Sequence, residues 1–287
     1  MTAELSLGAL REQGARLLQT SAAGRGPAAT PDLDAELLLT HAFGTTRSRL
    51  RSHPEDLGTE AQYKRYLALI ERRATGEPLA YVIGRKDFWS LSLTVTPAVL
   101  VPRPETELLV ERVLAVRPEE SGRAVDLGTG SGAIALSIAS ERPQWQVAAT
   151  DLSEQALAVA RANAEALDLR RVEFLHGSWF GPLAGRVFDI IVSNPPYVAE
   201  DDPAMQDPAL RHEPHGALTP GADAMVSLRA IITSAPNYLE RNGWLLLEHG
   251  SGQAAQVRSE LVARGLRHVR SHRDLAGHER MTEAQRA

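Results

Sequence analysis

Arg123-Ala124-Val125-Asp126-Leu127-Gly128-Thr129-Gly130-Ser131-Gly132-Ala133-Ile134-Ala135-Leu136 decides the fold. Arg123 to Leu127 reads as a short buried strand, Gly128 to Gly132 as a tight turn, and Ala133 to Arg142 as a helix. Strand, glycine-rich turn and helix together open a doubly wound, nucleotide-binding α/β fold. The glycines let backbone approach a ligand where any side chain would collide. The helix N-terminus beyond them favours a negative group such as a carboxylate. The turn lacks the Gly-Lys-Ser/Thr ending of a phosphate-binding P-loop, which argues against an NTPase. Its spacing is Gly-x-Gly-x-Gly rather than Gly-x-Gly-x-x-Gly, which favours S-adenosylmethionine over a dinucleotide.

Downstream, the second strand, Gln146 to Thr150, ends at Asp151. An acid at that strand end, roughly 20 residues past the glycines, is where ribose hydroxyls are bound. Its competing role is to cap the helix expected over Glu154 to Leu167. A third strand, Val172 to His176, leads to Gly177-Ser178-Trp179-Phe180, where Trp179 is placed either against an adenine ring or in the core.

The fourth strand carries the chemistry: Phe188-Asp189-Ile190-Ile191-Val192-Ser193-Asn194-Pro195-Pro196-Tyr197. Its first half is a β-branched apolar run, as in a strand buried on both faces of a parallel sheet. The prolines have no N–H to give a ladder and push the residues before them toward extended backbone. The corner so made presents two acceptors, the Asn194 side-chain oxygen and the Pro195 carbonyl. Two acceptors can take both N–H bonds of a planar NH2 group and orient it. They also meet the positive charge that its nitrogen gains during attack. Tyr197 offers a flat face for that planar group. The competing reading is a proline-terminated strand whose Asn caps a turn.

After Tyr197 a polar, proline-rich segment runs to about Ala222 and includes Arg211, His212, Glu213, Pro214 and His215. A long loop beside an active site is a candidate substrate-binding element. His212 and His215 have no companions that complete a metal site, and no metal is expected. A helix is expected over Met225 to Arg241, a fifth strand over Gly243 to Glu248, and a helix over Gly252 to Arg264. His268 to Arg273 and Glu279 to Ala287 read as closing strands.

Upstream, residues 1–75 read as helices. Leu5, Leu7, Leu10, Leu17 and Leu18 share roughly one face, and Ala22 to Ala29 is a loop. Thr30-Pro31-Asp32 starts a helix through Leu33, Leu37, Leu38 and Leu39 that Gly44 stops. A further helix over Glu60 to Ala74 turns Tyr63, Tyr66, Leu67 and Ile70 inward and Lys64, Arg65, Arg72 and Arg73 to solvent or a partner. Residues 76–104 change character: Gly76-Glu77-Pro78 breaks the helix. Tyr81 to Gly84, Phe88-Trp89 and Leu91 to Val95 suggest short strands or a hairpin linking two domains. The second domain then begins at 105, with a helix from near Thr106 to about Val116.

The chain has 287 residues, 43% hydrophobic and 23% charged, with a formal net charge of −5 and no cysteine. Disulfides, thiolate nucleophiles and Cys-ligated zinc are therefore excluded. The negative balance argues mildly against a nucleic-acid substrate. Met1 to Gln13 does not read as a signal peptide, no apolar run approaches a membrane span, and a cytoplasmic location is expected.

Asn-Pro-Pro-Tyr after a buried strand resembles the catalytic motif of S-adenosylmethionine-dependent amino-group methyltransferases. The chain as a whole resembles bacterial release-factor glutamine methyltransferases. The resemblance runs through Asp34-Ala35-Glu36-Leu37-Leu38-Leu39, Gly76-Glu77-Pro78-Leu79-Ala80-Tyr81, Phe88-Trp89-Ser90, Pro102-Arg103-Pro104-Glu105-Thr106-Glu107 and the glycine loop. It continues through Asn194 to Tyr197, Leu246-Leu247-Glu248-His249-Gly250, and Asp274 with Glu279-Arg280. It implies a Rossmann-like class I methyltransferase with a mostly parallel seven-stranded sheet, a small N-terminal helical domain for substrate recognition (1–75) and a β-hairpin linker (76–104). It implies S-adenosylmethionine on Gly128, Thr129, Gly130, Ser131, Gly132, Asp151, Trp179 and Asn194. It places the substrate glutamine, from the Gly-Gly-Gln motif of class I peptide chain release factors, on Asn194, Pro195, Pro196 and Tyr197. Asn194, Pro195 and Tyr197 are the expected catalytic group, in a monomer that meets neither nucleic acid nor membrane. The rival readings are an adenine-N6 methyltransferase of nucleic acid and a cofactor-binding adaptor without catalysis.

Overall fold

The computed structural model describes residues 5–24 and 29–287, so part of the expected loop over 22–29 lies outside the described residues. The chain forms two compact units. One is Met1–Gly84 with Gln206–His212, the other Arg85–Met205 with Glu213–Ala287.

The first unit is helical: α1 (Leu7–Gln19), α2 (Pro31–Phe43), α3 (Arg47–Ser52), α4 (Glu60–Ala74) and α5 (Leu79–Ile83). Leu7, Leu10, Leu18, Leu38, Leu39, Tyr66 and Ile70 make its core. Leu17 departs from the expected face and is 47% exposed. Gly14 explains why α1 and α4 approach so closely: a Cβ there would lie 1.9 Å from the Tyr66 hydroxyl oxygen. Thr59 caps α4 in a reciprocal box with Gln62, and Gly44 closes α2 in the left-handed region at φ 62°.

Arg72 and Arg73 are not a solvated face. Arg73 Nε donates to the buried Asp34 carboxylate at 2.8 Å, and Arg72 binds Glu77 and the Tyr81 and Val82 carbonyls. Glu36, also buried, accepts from Arg47 and Arg51. Burial alone would raise its pKa, but the two guanidiniums outweigh that and hold the carboxyl below its ordinary value. Tyr81 to Ile83 are helical rather than extended. The turn is closed by Gly84 in the left-handed region at φ 80°, its N–H donating to the Ala80 carbonyl at 2.8 Å.

The second unit opens with an antiparallel hairpin, β1 (Arg85–Phe88) and β2 (Leu91–Thr94). The remaining strands are β3 (Arg123–Leu127), β4 (Gln146–Asp151), β5 (Glu173–His176), β6 (Phe188–Ser193), β7 (Leu239–Glu248), β8 (Arg267–Arg273) and β9 (Glu279–Gln285). They form one seven-stranded sheet in the order β5-β4-β3-β6-β7-β9-β8. It is parallel except for β9, which pairs antiparallel with both β7 and β8. The helices are α6 (Glu107–Val116), α7 (Ala133–Glu141), α8 (Glu154–Ala166), α9 (His215–Leu218), α10 (Val226–Ser234) and α11 (Ala254–Ala263). Two apolar cores cover the two faces. One is built on Leu109, Leu136, Trp145 and Ile190, the other on Leu127, Ile191, Leu228 and Leu245.

The hairpin belongs to this unit because Asn163 on α8 ties down Thr94. Its Oδ1 accepts from the Thr94 N–H at 2.8 Å and its Nδ2 donates to the Thr94 carbonyl at 3.0 Å. The helix expected over Met225 to Arg241 stops at Ser234 because Pro236 follows, and β7 begins at Leu239, ahead of Gly243. Within β9, Met281 to Ala284 are all buried, the polar Thr282 and Glu283 included. Glu283 is compensated by a two-pronged contact from Arg112, at 3.0 and 3.1 Å. Among the described residues no helix is long and apolar enough to cross a membrane.

Candidate active site

The parallel strands β3, β4 and β6 end side by side, and their carboxyl ends carry the predicted residues to one place. Beyond β3, the Gly128 and Thr129 N–H groups both donate to the Thr150 carbonyl, at 2.8 and 3.0 Å, so the glycine turn folds over the end of β4. Gly128, Gly130 and Gly132 have φ of 75°, 56° and 84°. A Cβ on Gly128 would meet the Trp179 ring at 3.3 Å, and one on Gly132 the Leu136 side chain at 2.9 Å. Gly130 has nothing within 4 Å of its missing Cβ, so its backbone is bare toward open space.

Asp151 anchors the turn. Its Oδ2 accepts from the Gly130 N–H at 2.8 Å and its Oδ1 from the Ser153 N–H at 2.9 Å. Each oxygen retains a lone pair for a hydroxyl donor. Beneath the turn, the fully buried Asp126 accepts from the Thr129 hydroxyl at 2.6 Å. Burial pushes its carboxyl up to about 7, against the pull of the Thr129 and Ala135 hydrogen bonds.

These elements surround a cavity of about 650 Å³, within the range usual for ligand sites. Gly128, Thr129, Gly130, Ser131, Asp151, Trp179, Asn194 and Pro196 line it. Gly132 stands just behind the lining, at the start of α7. Pro195 is buried, and the Tyr197 ring stands beside the cavity with its hydroxyl donating to Glu248 Oε1 at 3.0 Å. The residue set fits S-adenosylmethionine. The bare backbone at Gly130, the acceptor-rich Asp151 and the helix N-terminus at α7 suit its ribose and carboxylate, and Trp179 and Leu152 supply apolar wall.

His212 and His215 do not converge: His212 groups with the helical unit, whereas His215 starts α9. The loop that carries them instead contributes Glu213. This buried carboxylate accepts from the Val101 N–H at 3.0 Å and from the Arg103 guanidinium, tying residues 98–103 to the segment after it, and both contribute to the cavity lining.

Sequence reasoning assigned no role to Thr106 or Glu248. The Asn194 Nδ2 donates to Thr106 Oγ1 at 3.1 Å, leaving Asn194 Oδ1 as the outward acceptor. Glu248 is fully buried, and burial pushes its carboxyl up to about 7. The hydrogen bond from Tyr197 and the charge of Arg280 pull the other way. The Tyr197 phenol is raised out of the physiological range by its burial and by the Glu248 charge. Both residues stand in segments that carry the family resemblance, Pro-Arg-Pro-Glu-Thr-Glu and Leu-Leu-Glu-His-Gly, which was the available signal.

Comparison with known proteins agrees with this geometry. Residues 10–84 match the family described as PrmC N-terminal domain, and residues 104–213 match the methyltransferase small domain. The release factor glutamine methyltransferase of Coxiella burnetii is 47% identical over 90% of this chain and 92% of its own. That of Escherichia coli is 44% identical over 88% of this chain and 91% of its own. Among solved structures, the hMettl16 catalytic domain with an MAT2A 3'UTR hairpin superposes with a TM-score of 0.58 at 15% identity, over 88% of this chain and 90% of that one. The Thermus thermophilus 16S rRNA N2 G1207 methyltransferase gives 0.54 at 20% identity, over 71% of this chain and 50% of that one. At such identities these two show the shared fold.

Proposed function

The chain belongs to the release factor glutamine methyltransferase family, and from that premise we propose that it methylates the side-chain nitrogen of a glutamine in a release factor. The finer assignment is the glutamine of the Gly-Gly-Gln motif in class I peptide chain release factors. The enzyme acts as a monomer in the cytoplasm, with residues 1–75 recognising the substrate, 76–104 as linker and 105–287 carrying catalysis. The single observation that carries the reading is the Asn194 amide: its nitrogen is held by Thr106, and its oxygen is left as an acceptor on the cavity wall.

S-adenosylmethionine, when bound, supplies a methyl group made electrophilic by the adjacent positive sulfur. Gly128 to Gly132, Asp151 and Trp179 would hold it. The protein's task is then to prepare a poor nucleophile, since an amide nitrogen delocalises its lone pair into the carbonyl. Asn194 Oδ1 and the Pro195 carbonyl accept the two N–H bonds and orient the nitrogen, Pro196 closes the wall, and Tyr197 packs over the amide plane. The same two acceptors stabilise positive charge as it develops on that nitrogen. No strong base is required beforehand, because the departing proton becomes acidic only as the new C–N bond forms.

The test is methyl transfer from labelled S-adenosylmethionine to a purified class I release factor, beside a control whose Gly-Gly-Gln glutamine is replaced. Label on the first and none on the second is expected. Equal label on both would refute the acceptor assignment. Label on neither, but on added RNA or DNA, would replace it with a nucleic-acid amine, which the net charge of −5 disfavours.

A further inference from the structure

We propose that Gln253 is a positioning residue for methyl transfer: its side-chain amide fixes the main chain at Tyr197 and, through it, the Pro195 carbonyl and the Tyr197 ring. The proposal rests on the functional reading above and gives a role to a residue 56 positions beyond Tyr197.

The corner after β6 has few main-chain anchors of its own. Pro195 and Pro196 have no N–H to give, and the Pro195 carbonyl is kept for substrate. The corner is held from outside. Gln253 Nε2 donates to the Tyr197 carbonyl at 3.1 Å and to the Ala224 carbonyl at 3.4 Å. Gln253 Oε1 accepts from the Gly250 N–H at 2.7 Å. The direction of this amide is forced. A carbonyl only accepts and a main-chain N–H only donates, so a reversed amide would set like against like at all three contacts. The Nε2 protons are thus committed to two carbonyls, one at the corner and one at the end of the long loop that follows it. Next along the chain, the Val198 N–H donates to the Leu218 carbonyl at 3.1 Å, so two successive main-chain groups are pinned.

Gln253 is itself well placed. It immediately precedes α11, its N–H donates to the Gly250 carbonyl at 2.9 Å, and its carbonyl accepts from the Val257 N–H at 2.9 Å. The turn over 250–253 follows directly on β7, whose last residue, Glu248, accepts from the Tyr197 hydroxyl at 3.0 Å. Residues 248–253 therefore hold Tyr197 at both extremes, the phenol and the main-chain carbonyl. Gly250 lies between the two contacts. A Cβ there would stand 3.0 Å from Gln253 Oε1 and 3.7 Å from Tyr197 Cδ2, so the glycine lets the amide close on the turn beside the ring. The ring and the carbonyl are both referred to one turn, set between an interior strand of the sheet and a helix.

The experiment compares wild type, Gln253→Met and Gln253→Glu in single-turnover methylation of a class I release factor. S-adenosylmethionine affinity by calorimetry and amide exchange by NMR accompany it. Gln253→Met removes all three contacts. Gln253→Glu keeps an acceptor for the Gly250 N–H and loses only the donor to Tyr197 and Ala224. Both are expected to lower the maximal single-turnover rate roughly 10- to 100-fold by misplacing the corner. Cofactor affinity and the release-factor concentration at half-maximal rate should stay near wild type. The Gly250 N–H should remain protected from exchange in Gln253→Glu and lose protection in Gln253→Met. A second arm places each variant in a Tyr197→Ala background, where it should cost less than in wild type because part of what Gln253 positions is gone. A wild-type rate in Gln253→Glu would show that the residue only closes its own turn, and would overturn the proposal. So would losses that multiply fully with Tyr197→Ala, or a loss confined to cofactor or release-factor affinity. Should Gln253→Met fail to fold, Gln253→Glu decides both arms alone. A wild type inactive on every release factor would instead overturn the functional reading. The Gln253 Nε2 protons, followed without substrate, should be protected in wild type, and their free exchange would refute the contact to Tyr197 whatever the acceptor.

Discussion

Replacing Glu248 by Gln should change how the stability of the catalytic unit depends on pH, and in a direction opposite to the usual salt-bridged carboxylate. Burial raises the Glu248 carboxyl from 4.5 to about 7 in the folded protein. Between those values the unfolded chain has released its proton while the folded chain retains it. Stability due to this residue is therefore fully present below pH 4.5 and is lost as pH rises through about 7. Each pH unit of that interval corresponds to about 1.4 kcal/mol, so the total is about 3 kcal/mol. Glu248→Gln has no proton to lose and should not show the decline. Wild type minus variant should accordingly fall by about 3 kcal/mol between pH 4.5 and 7 and then level off. Asp126, raised into the same window, titrates in both proteins and cancels in the difference. The assay is urea unfolding at half-unit pH steps followed by tryptophan fluorescence. All four tryptophans, Trp89, Trp145, Trp179 and Trp244, lie in the catalytic unit, so the signal reports that unit alone. A difference that stays constant from pH 4.5 to 8, or grows with pH, would refute the reasoning. Arg280 and the Tyr197 hydroxyl would then outweigh burial.

Other perturbations test the site at separate points. Asn194→Ala should reduce the turnover rate at least ~100-fold, as for loss of one preorganised polar contact, with calorimetric S-adenosylmethionine affinity largely kept. Gly130→Ala forces a Cβ onto a backbone at φ 56°. It should cost about 1–2 kcal/mol of stability and weaken cofactor binding in the same titration. Arg103→Ala leaves the buried Glu213 with only the Val101 N–H. It should destabilise by about 1–3 kcal/mol and weaken cofactor binding, whereas Arg103→Lys should recover part of both.

Much of this was legible because local chemistry decided it. The glycine turn, Asp151 at the end of β4 and the prolines after β6 each impose backbone geometry that few other residues would accept, and all stand where the strand pattern put them. What the sequence did not show depended on partners far along the chain. Arg73 looks like a solvated cation until Asp34, 39 residues away, is found beside it. The polar Glu279–Gln285 strand looks peripheral until Arg112 neutralises Glu283. Tyr81 to Ile83 have the composition of a strand, but they form a short helix between Pro78 and the left-handed Gly84. Thr106 and Asn194 are 88 positions apart, so no spacing could reveal that the Thr106 hydroxyl oxygen accepts from the Asn194 amide.

The place of β9 inside the sheet, between β7 and β8, has a consequence for biosynthesis. A chain emerging from the ribosome in sequence order can build β5-β4-β3-β6-β7 from its first 248 residues. The outer edge of β7 then stays open until residues 279–285 emerge and insert. A nascent chain should expose an unpaired strand edge, a natural target for chaperones, until those seven ladder residues arrive.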